Sequence, residues 1–296
     1  MPVLALVANA GTWGLSWWPF RWLQQQGLHA LWATVLVYGF AVLVIVALRP
    51  ACVGQFLRAP ALWWLVLAAG TTNATFNWAV TIGDVVRVVL LFYLMPLWAV
   101  LLARVVLHER LTRLAALRVA MALAGAMVVL WPGPDSGWPL PRSLAEWLGL
   151  AGGFSFALNN VMLRREAHQP EGARALAMFG GGVVVAGAVA LALSAAGTVP
   201  QPPAPALAWV LPAAVLALVF LVGNLALQYG AAHLSANATA VVMITEVLFA
   251  SVSAVALGAG TVTPALALGG ALIVGAALLV AWPGPRRASP PSPPVP

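Results

Sequence analysis

Ten apolar runs of about 20 residues follow one another along the chain, near 3–20, 30–48, 61–82, 85–107, 112–131, 144–163, 174–196, 206–228, 234–257 and 264–282. Each is long enough to cross roughly 30 Å of hydrocarbon as a helix. The pattern predicts an all-α integral membrane protein with ten transmembrane helices. The first run has no basic segment before it and no small-residue cleavage site, and it carries Asn9, Trp13 and Trp17; it reads as a retained helix rather than a signal peptide. Glu246 stands alone in the middle of the ninth run. An unpaired carboxylate at that depth costs on the order of 3 kcal/mol on insertion scales, so it is expected to face a cavity.

Composition agrees on the solvent. The chain is 62% hydrophobic and 7% charged, with a mean hydropathy of +0.97, which leaves too little charge for an aqueous surface. All 14 basic residues are arginine, and their placement explains the high pI without a nucleic-acid partner. With the N-terminus inside, Arg49, Arg58, Arg104, Arg110, Arg113, Arg118, Arg164, Arg165, Arg174, Arg286 and Arg287 face the cytoplasm, and Arg21, Arg87 and Arg142 face out. That asymmetry predicts both termini inside. The single Cys52 has no partner for an intramolecular disulfide.

An internal repeat organises the helices. "LWPGP" at 130–134 recurs as "AWPGP" at 281–285, and the offset of 151 carries Thr112 to Thr263, Trp78 to Tyr229 and Asn73 to Asn224. The chain therefore divides into 1–134, 135–285 and a Pro-rich tail, 286–296, read as disordered and cytoplasmic. Five helices is an odd number, so the second unit enters the membrane inverted. Inverted repeats of this kind point to a secondary transporter with its substrate near the midplane, between the repeats.

Repeat-matched polar faces locate that substrate. Asn73 and Asn77, four apart on the third helix, match Asn224 and Gln228 on the eighth. Asn9, Trp13, Ser16 and Trp17 on the first match Gly152, Phe156, Asn159 and Asn160 on the sixth, at an offset of 143. Single amides in membrane helices often serve only as interhelical glue; four matched faces favour a shared cavity. Trp78, Trp98 and Tyr93 lie deep enough to join its wall, and Met243 shares the predicted face of Glu246. Most other tryptophans sit near helix ends, as interface anchors do. The reading includes no cofactor, no metal ligand and no enzymatic activity: no Ser with a His, and no paired Asp, stands at matched depth.

The run "LMPLWAVLLARVVLHERLT" at 94–112 resembles the fourth helix and exit of the drug/metabolite transporter superfamily, EamA type, and "TWGLSW" at 12–17 resembles that family's first helix. Within it the tryptophan-rich first, third and fourth helices are most similar to the YddG-type aromatic amino acid exporters. The resemblance implies an inner-membrane exporter working by alternating access, its cavity lined by helices 1, 3, 4, 6, 8 and 9. In the second unit Val247 stands where the family has proline, and Gly260 replaces the exit acid.

For Glu246 three roles compete: binding a substrate ammonium, carrying a coupled proton, or bonding neighbouring amides. Aromatic rings, amides and one acid suit a neutral amino acid with a bulky apolar side chain. A lipophilic cation is the alternative, since π faces attract it too. A phosphate-bearing substrate would need cations that the midplane lacks. Proton coupling and oligomeric state stay open, with a monomer compatible with everything above.

Overall fold

The computed structural model describes residues 1–82, 88, 91–109, 112–131, 141–257 and 263–281. Among these there is no β-strand. The helices are α1 (Pro2–Gln25), α2 (Ala30–Leu48), α3 (Ala51–Leu57), α4 (Leu62–Ile82), α5 (Met95–Val106), α6 (Arg113–Leu130), α7 (Leu144–Arg165), α8 (Glu171–Ala195), α9 (Leu207–His233), α10 (Ala236–Met243), α11 (Glu246–Ala256) and α12 (Pro264–Ala281). Arg87, Arg110, the Pro-Gly-Pro motifs at 132–134 and 283–285, and the tail lie outside the described residues.

Local chemistry sets the helix ends. Thr112, Ser143 and Ser235 cap α6, α7 and α10, their hydroxyls accepting from the N–H of Ala115 (3.1 Å), Glu146 (3.3 Å) and Ala238 (3.2 Å). Each satisfies a donor that the first turn cannot. Glycines at φ +86° (Gly27) and +71° (Gly197) turn the chain out of α1 and α8. The N–H of Leu28 and of Thr198 reach back to the carbonyls of Leu23 (3.2 Å) and Leu193 (2.8 Å), the six-to-one bond of a Schellman ending.

Polar and apolar residues are distributed inside out. Asn9, Thr34, Asn73, Asn77, Asn159, Asn160 and Gln228 are buried, whereas Leu4, Leu43, Val105, Leu191, Leu211, Val222 and Leu278 are 60% exposed or more. Such a surface suits lipid and not water. Among the described residues, α2, α8 and α9 are each long and apolar enough to cross a membrane, and α3 with α4 qualifies as a pair bent by 104°. This criterion reaches three to four spans where the apolar pattern reads ten. Of the rest, α5, α10 and α11 are short pieces of interrupted runs, and α1 and α7 are diluted by the polar residues they bury.

Two stretches expected as single helices are broken, and this corrects the sequence reading. In 85–107 the chain turns at Tyr93–Leu94 before α5 begins, and in 234–257 it turns at Ile244–Thr245, between α10 and α11. Pro96 accounts for the first break: it has no N–H for the carbonyl four residues back, and its ring collides there. The second break has no proline. Ile244, Thr245, Val247 and Leu248 instead bond three residues back, at 3.0–3.3 Å, and the Thr245 hydroxyl donates to the Val242 carbonyl at 2.8 Å. That side-chain bond competes with the helical ladder. The two breaks are 151 residues apart, the offset of the sequence repeat. Between α2 and α4, where a loop was expected, α3 folds against the start of α8.

Packing follows matched pairs. α4 lies against α7 and α8, and α1 lies against α9; α5 packs on α7 as α11 packs on α1; α2 pairs with α8, and α6 with α12. At the crossing of α4 and α8 the backbones nearly touch. A Cβ on Gly70 would strike the Gly181 carbonyl oxygen, and one on Gly181 would strike that of Val66.

Candidate functional site

The helices enclose a cavity in two adjoining parts. The larger is walled by Trp13 of α1, Tyr38 of α2, Ala69, Thr72 and Asn73 of α4, Phe156 and Asn159 of α7, Met178 and Phe179 of α8, and Phe220, Asn224 and Leu227 of α9. The smaller shares Trp13, Thr72, Asn73 and Phe156 and adds Phe76, Phe92 and Glu246. Each of these helices brings at least one polar or aromatic residue to this wall, while many of their leucines and valines stay exposed.

Aromatic rings form most of the wall and pack on one another. Ring centroids lie 4.7 Å apart for Trp13–Phe220, 5.0 Å for Tyr38–Phe179, 4.7 Å for Phe76–Phe92 and 5.7 Å for Phe92–Phe156, all tilted. These are the separations at which ring edges meet ring faces favourably. Asn73 is fixed by two bonds: its Oδ1 accepts from the Tyr38 hydroxyl at 2.6 Å, and its Nδ2 donates to the Ala69 carbonyl at 2.7 Å. Asn224 donates to the Met178 sulfur at 3.3 Å and accepts from Gln228 Nε2 at 2.7 Å. Glu246 opens α11, just past the break, and its carboxylate accepts a hydrogen bond from the Tyr93 hydroxyl.

The expected site residues thus divide. Trp13, Asn73, Phe156, Asn224 and Glu246 line the cavity. Tyr93 is buried beside it through Glu246, and Gln228 through Asn224. Asn9 and Met243 are buried against each other, Asn9 Nδ2 donating to the Met243 sulfur at 3.4 Å; Met243 lies on α10, across the break from Glu246. Asn160 is buried away from both parts of the cavity. Asn77 instead donates to Thr34 Oγ1 at 2.7 Å and ties α4 to α2. Trp17 donates to Ser253 Oγ at 3.0 Å and ties α1 to α11. Trp98 meets Phe154 edge-on at 5.7 Å, and Trp78 packs with Leu31, Ala74, Ala186 and Ala190 in a separate apolar cluster. Sequence reasoning missed Tyr38, Phe76, Phe92, Phe179 and Phe220. Only Tyr38 carries a signal that could have found it, because a phenol inside an apolar helix needs a hydrogen-bond acceptor.

A prediction separates the two kinds of tryptophan. Trp13→Ala is expected to raise the KM for a bulky aromatic substrate, with a loss of stability as well because its ring packs on Phe220. Trp78→Ala is expected to leave KM unchanged and to cost roughly 2–3 kcal/mol, below the ~3–5 kcal/mol of a fully buried ring. Flux and thermal melting on both variants check this; a raised KM in Trp78→Ala would place its ring on the substrate's path.

At the end of the bundle where α7 and α9 finish, Glu109 follows α5. Burial raises its carboxyl above the ordinary carboxylate range, while the Arg164 charge and a hydrogen bond from the Ala236 N–H act the other way. Arg164 also donates to the Ala232 carbonyl. The exit of α5, the end of α7 and the turn from α9 to α10 are thereby joined. Among the described residues no group of His, Cys, Asp and Glu is placed to hold a metal ion.

Residues 1–131 match the EamA-like transporter family. That region spans α1 to α6, and so brings Trp13, Tyr38, Asn73 and Phe92 to the cavity. The chain is also similar to the chloramphenicol-sensitive protein RarD of Pseudomonas aeruginosa, at 34% identity over 122 residues, which are 38% of this chain. It spans 40% of that relative's length. A solved crystal structure superposes with a TM-score of 0.74 at 21% identity, covering 94% of this chain and 95% of the other. That likeness speaks to the fold alone, and it extends beyond the EamA-like region through α7–α12.

Proposed function

We propose that this chain is a secondary transporter of the drug/metabolite transporter superfamily. In this reading it exports amino acids with bulky, chiefly aromatic side chains across the inner membrane by alternating access, with ten spans, both termini cytoplasmic, and two inverted units, 1–134 and 135–285. The observation that carries it is the cavity: aromatic on nearly every side, with fixed amides at Asn73 and Asn224 and a single carboxylate at Glu246. Rings take the substrate's side chain, amides its carboxylate, and Glu246 its ammonium. The inverted plan is supported by the break recurring at an offset of 151 and by the matched helix pairs. The EamA-like match, ending at 131, stops at the start of the first of the two repeated Trp-Pro-Gly-Pro motifs, where a unit boundary is expected.

One observation favours a second reading. A carboxylate among π faces also suits a lipophilic cation. The fixed amides weigh toward the zwitterion, since a simple cation has no group for them. Proteoliposomes separate the two: labelled phenylalanine should be moved by the protein and competed by leucine or tryptophan. Transport of a quaternary aromatic amine with no phenylalanine flux would overturn the amino acid reading. Repeating the flux with and without a pH gradient assigns proton coupling.

A further inference from the structure

Most of the buried polar atoms without a partner lie towards one end of the bundle, Ser194 Oγ being an exception. Towards the end where α2 begins, Asn77 meets Thr34 and Trp17 meets Ser253. Towards the opposite end, where α7 finishes and α8 begins, Asn159 Oδ1, both amide atoms of Asn160, and Gln228 Oε1 are buried without a partner among the described residues. Arg174 belongs to this set. It is 4% exposed, and its Nε and Nη1 have no hydrogen-bond acceptor. Leaving such donors unmet typically costs ~1–3 kcal/mol each, and more for charged groups.

The level of Arg174 is given by its neighbours. Met178, four residues on and on the same face of α8, lines the cavity and accepts from Asn224, so these two stand at one height. Arg174 and Gln228 each lie one turn further out, about 6 Å beyond the cavity wall at 1.5 Å per residue. Of the acids nearby, Glu171 lends its charge to Arg174 without a hydrogen bond and also faces Arg49 at 3.9 Å, while Glu166 faces Arg165 at 3.5 Å and His168 at 3.8 Å. Sequence alone places Arg174 with the loop arginines that orient the chain, yet it is buried where Arg49 is well exposed.

We propose that Arg174 is a carboxylate-binding station on the substrate's path, one helical turn from the cavity towards the end where α7 finishes, the same end at which Asn160 and Gln228 have unmet amide atoms. This rests on the transporter reading above. A guanidinium with unmet N–H groups binds a carboxylate through charge-assisted hydrogen bonds. Arg174 would receive the carboxylate as the substrate enters from that end, and Glu246 would hold the ammonium once it reaches the cavity.

The test is flux of labelled phenylalanine in proteoliposomes, inhibited by 3-phenylpropionate, which has only the carboxylate, or by phenethylamine, which has only the ammonium. In Arg174→Gln the inhibition constant of 3-phenylpropionate should rise at least tenfold and that of phenethylamine should stay as in the unsubstituted protein. If Arg174→Gln is too slow to measure, recovery of flux in Arg174→Lys supports the station, because a charge is restored; equal loss in both, with lowered melting temperature, marks the arginine as structural and overturns it. Unchanged inhibition by both compounds, equal changes in both, or no inhibition of the unsubstituted protein by 3-phenylpropionate also overturns it. Absence of any phenylalanine flux before substitution defeats the amino acid reading itself, a distinct result.

Discussion

Glu246→Gln is expected to lower amino acid flux at least tenfold while the protein still inserts, folds and melts close to the unsubstituted temperature. The side chain opens α11 directly after the break and faces the smaller part of the cavity beside Thr72 and Asn73. Glutamine keeps the shape and one acceptor oxygen, so the Tyr93 hydroxyl retains its partner. What is lost is the charge that would hold an ammonium or carry a proton. Tenfold corresponds to about 1.4 kcal/mol, a modest demand on a charge-assisted bond away from water. Glu246→Ala should behave differently, because it also strands the buried Tyr93 hydroxyl and should lower the melting temperature. Flux at several pH values, measured beside melting, checks the pair. Flux equal to that of the unsubstituted protein in the Gln variant at every pH would remove Glu246 from the mechanism.

The largest loss of stability is expected from Gly181→Leu. A Cβ there meets the Val66 carbonyl oxygen, which is backbone and cannot swing aside as a side chain would. α4 is held on its other flank by α7, so it has no free direction in which to yield. Overpacking a close crossing costs ~1–3 kcal/mol and occasionally more, and this case belongs at the top of that range. Gly180→Leu is the control, because a Cβ at Gly180 meets nothing within 4 Å. The pair differs by one position and about 100° around one helix, so propensity is matched and only the neighbour changes. Equal melting temperatures for the two variants would mean that the crossing can open without cost.

Much of the helix layout was legible from apolar run lengths: α2 occupies the 30–48 expected for it, and each other run contains helix. The polar cavity residues Asn73, Asn224 and Glu246 were legible because polar groups in apolar helices stand out. The phenylalanines were not. Phe179 faces the cavity while Val184, five positions on, faces outward, and both are simply apolar. Where the surrounding solvent is lipid, hydrophobicity no longer separates inside from outside. Asn77 failed for a related reason, since an amide bonded to a neighbouring helix and one facing a cavity look alike until Thr34 is found beside it. The break at Ile244–Thr245 was hidden because no proline marks it.

That missing proline makes the two matched breaks mechanically unequal. At Pro96 the chain has no N–H with which to rejoin the helical ladder, so the joint ahead of α5 is permanent. At the corresponding position Val247 has its N–H, bonded now to the Ile244 carbonyl at 3.0 Å. It could transfer to Met243 with no donor left unmet, merging α10 and α11 into one rod and turning Glu246 about the helix axis. One half of the molecule has a fixed elbow; the other has an elbow that can straighten, and it carries the acid.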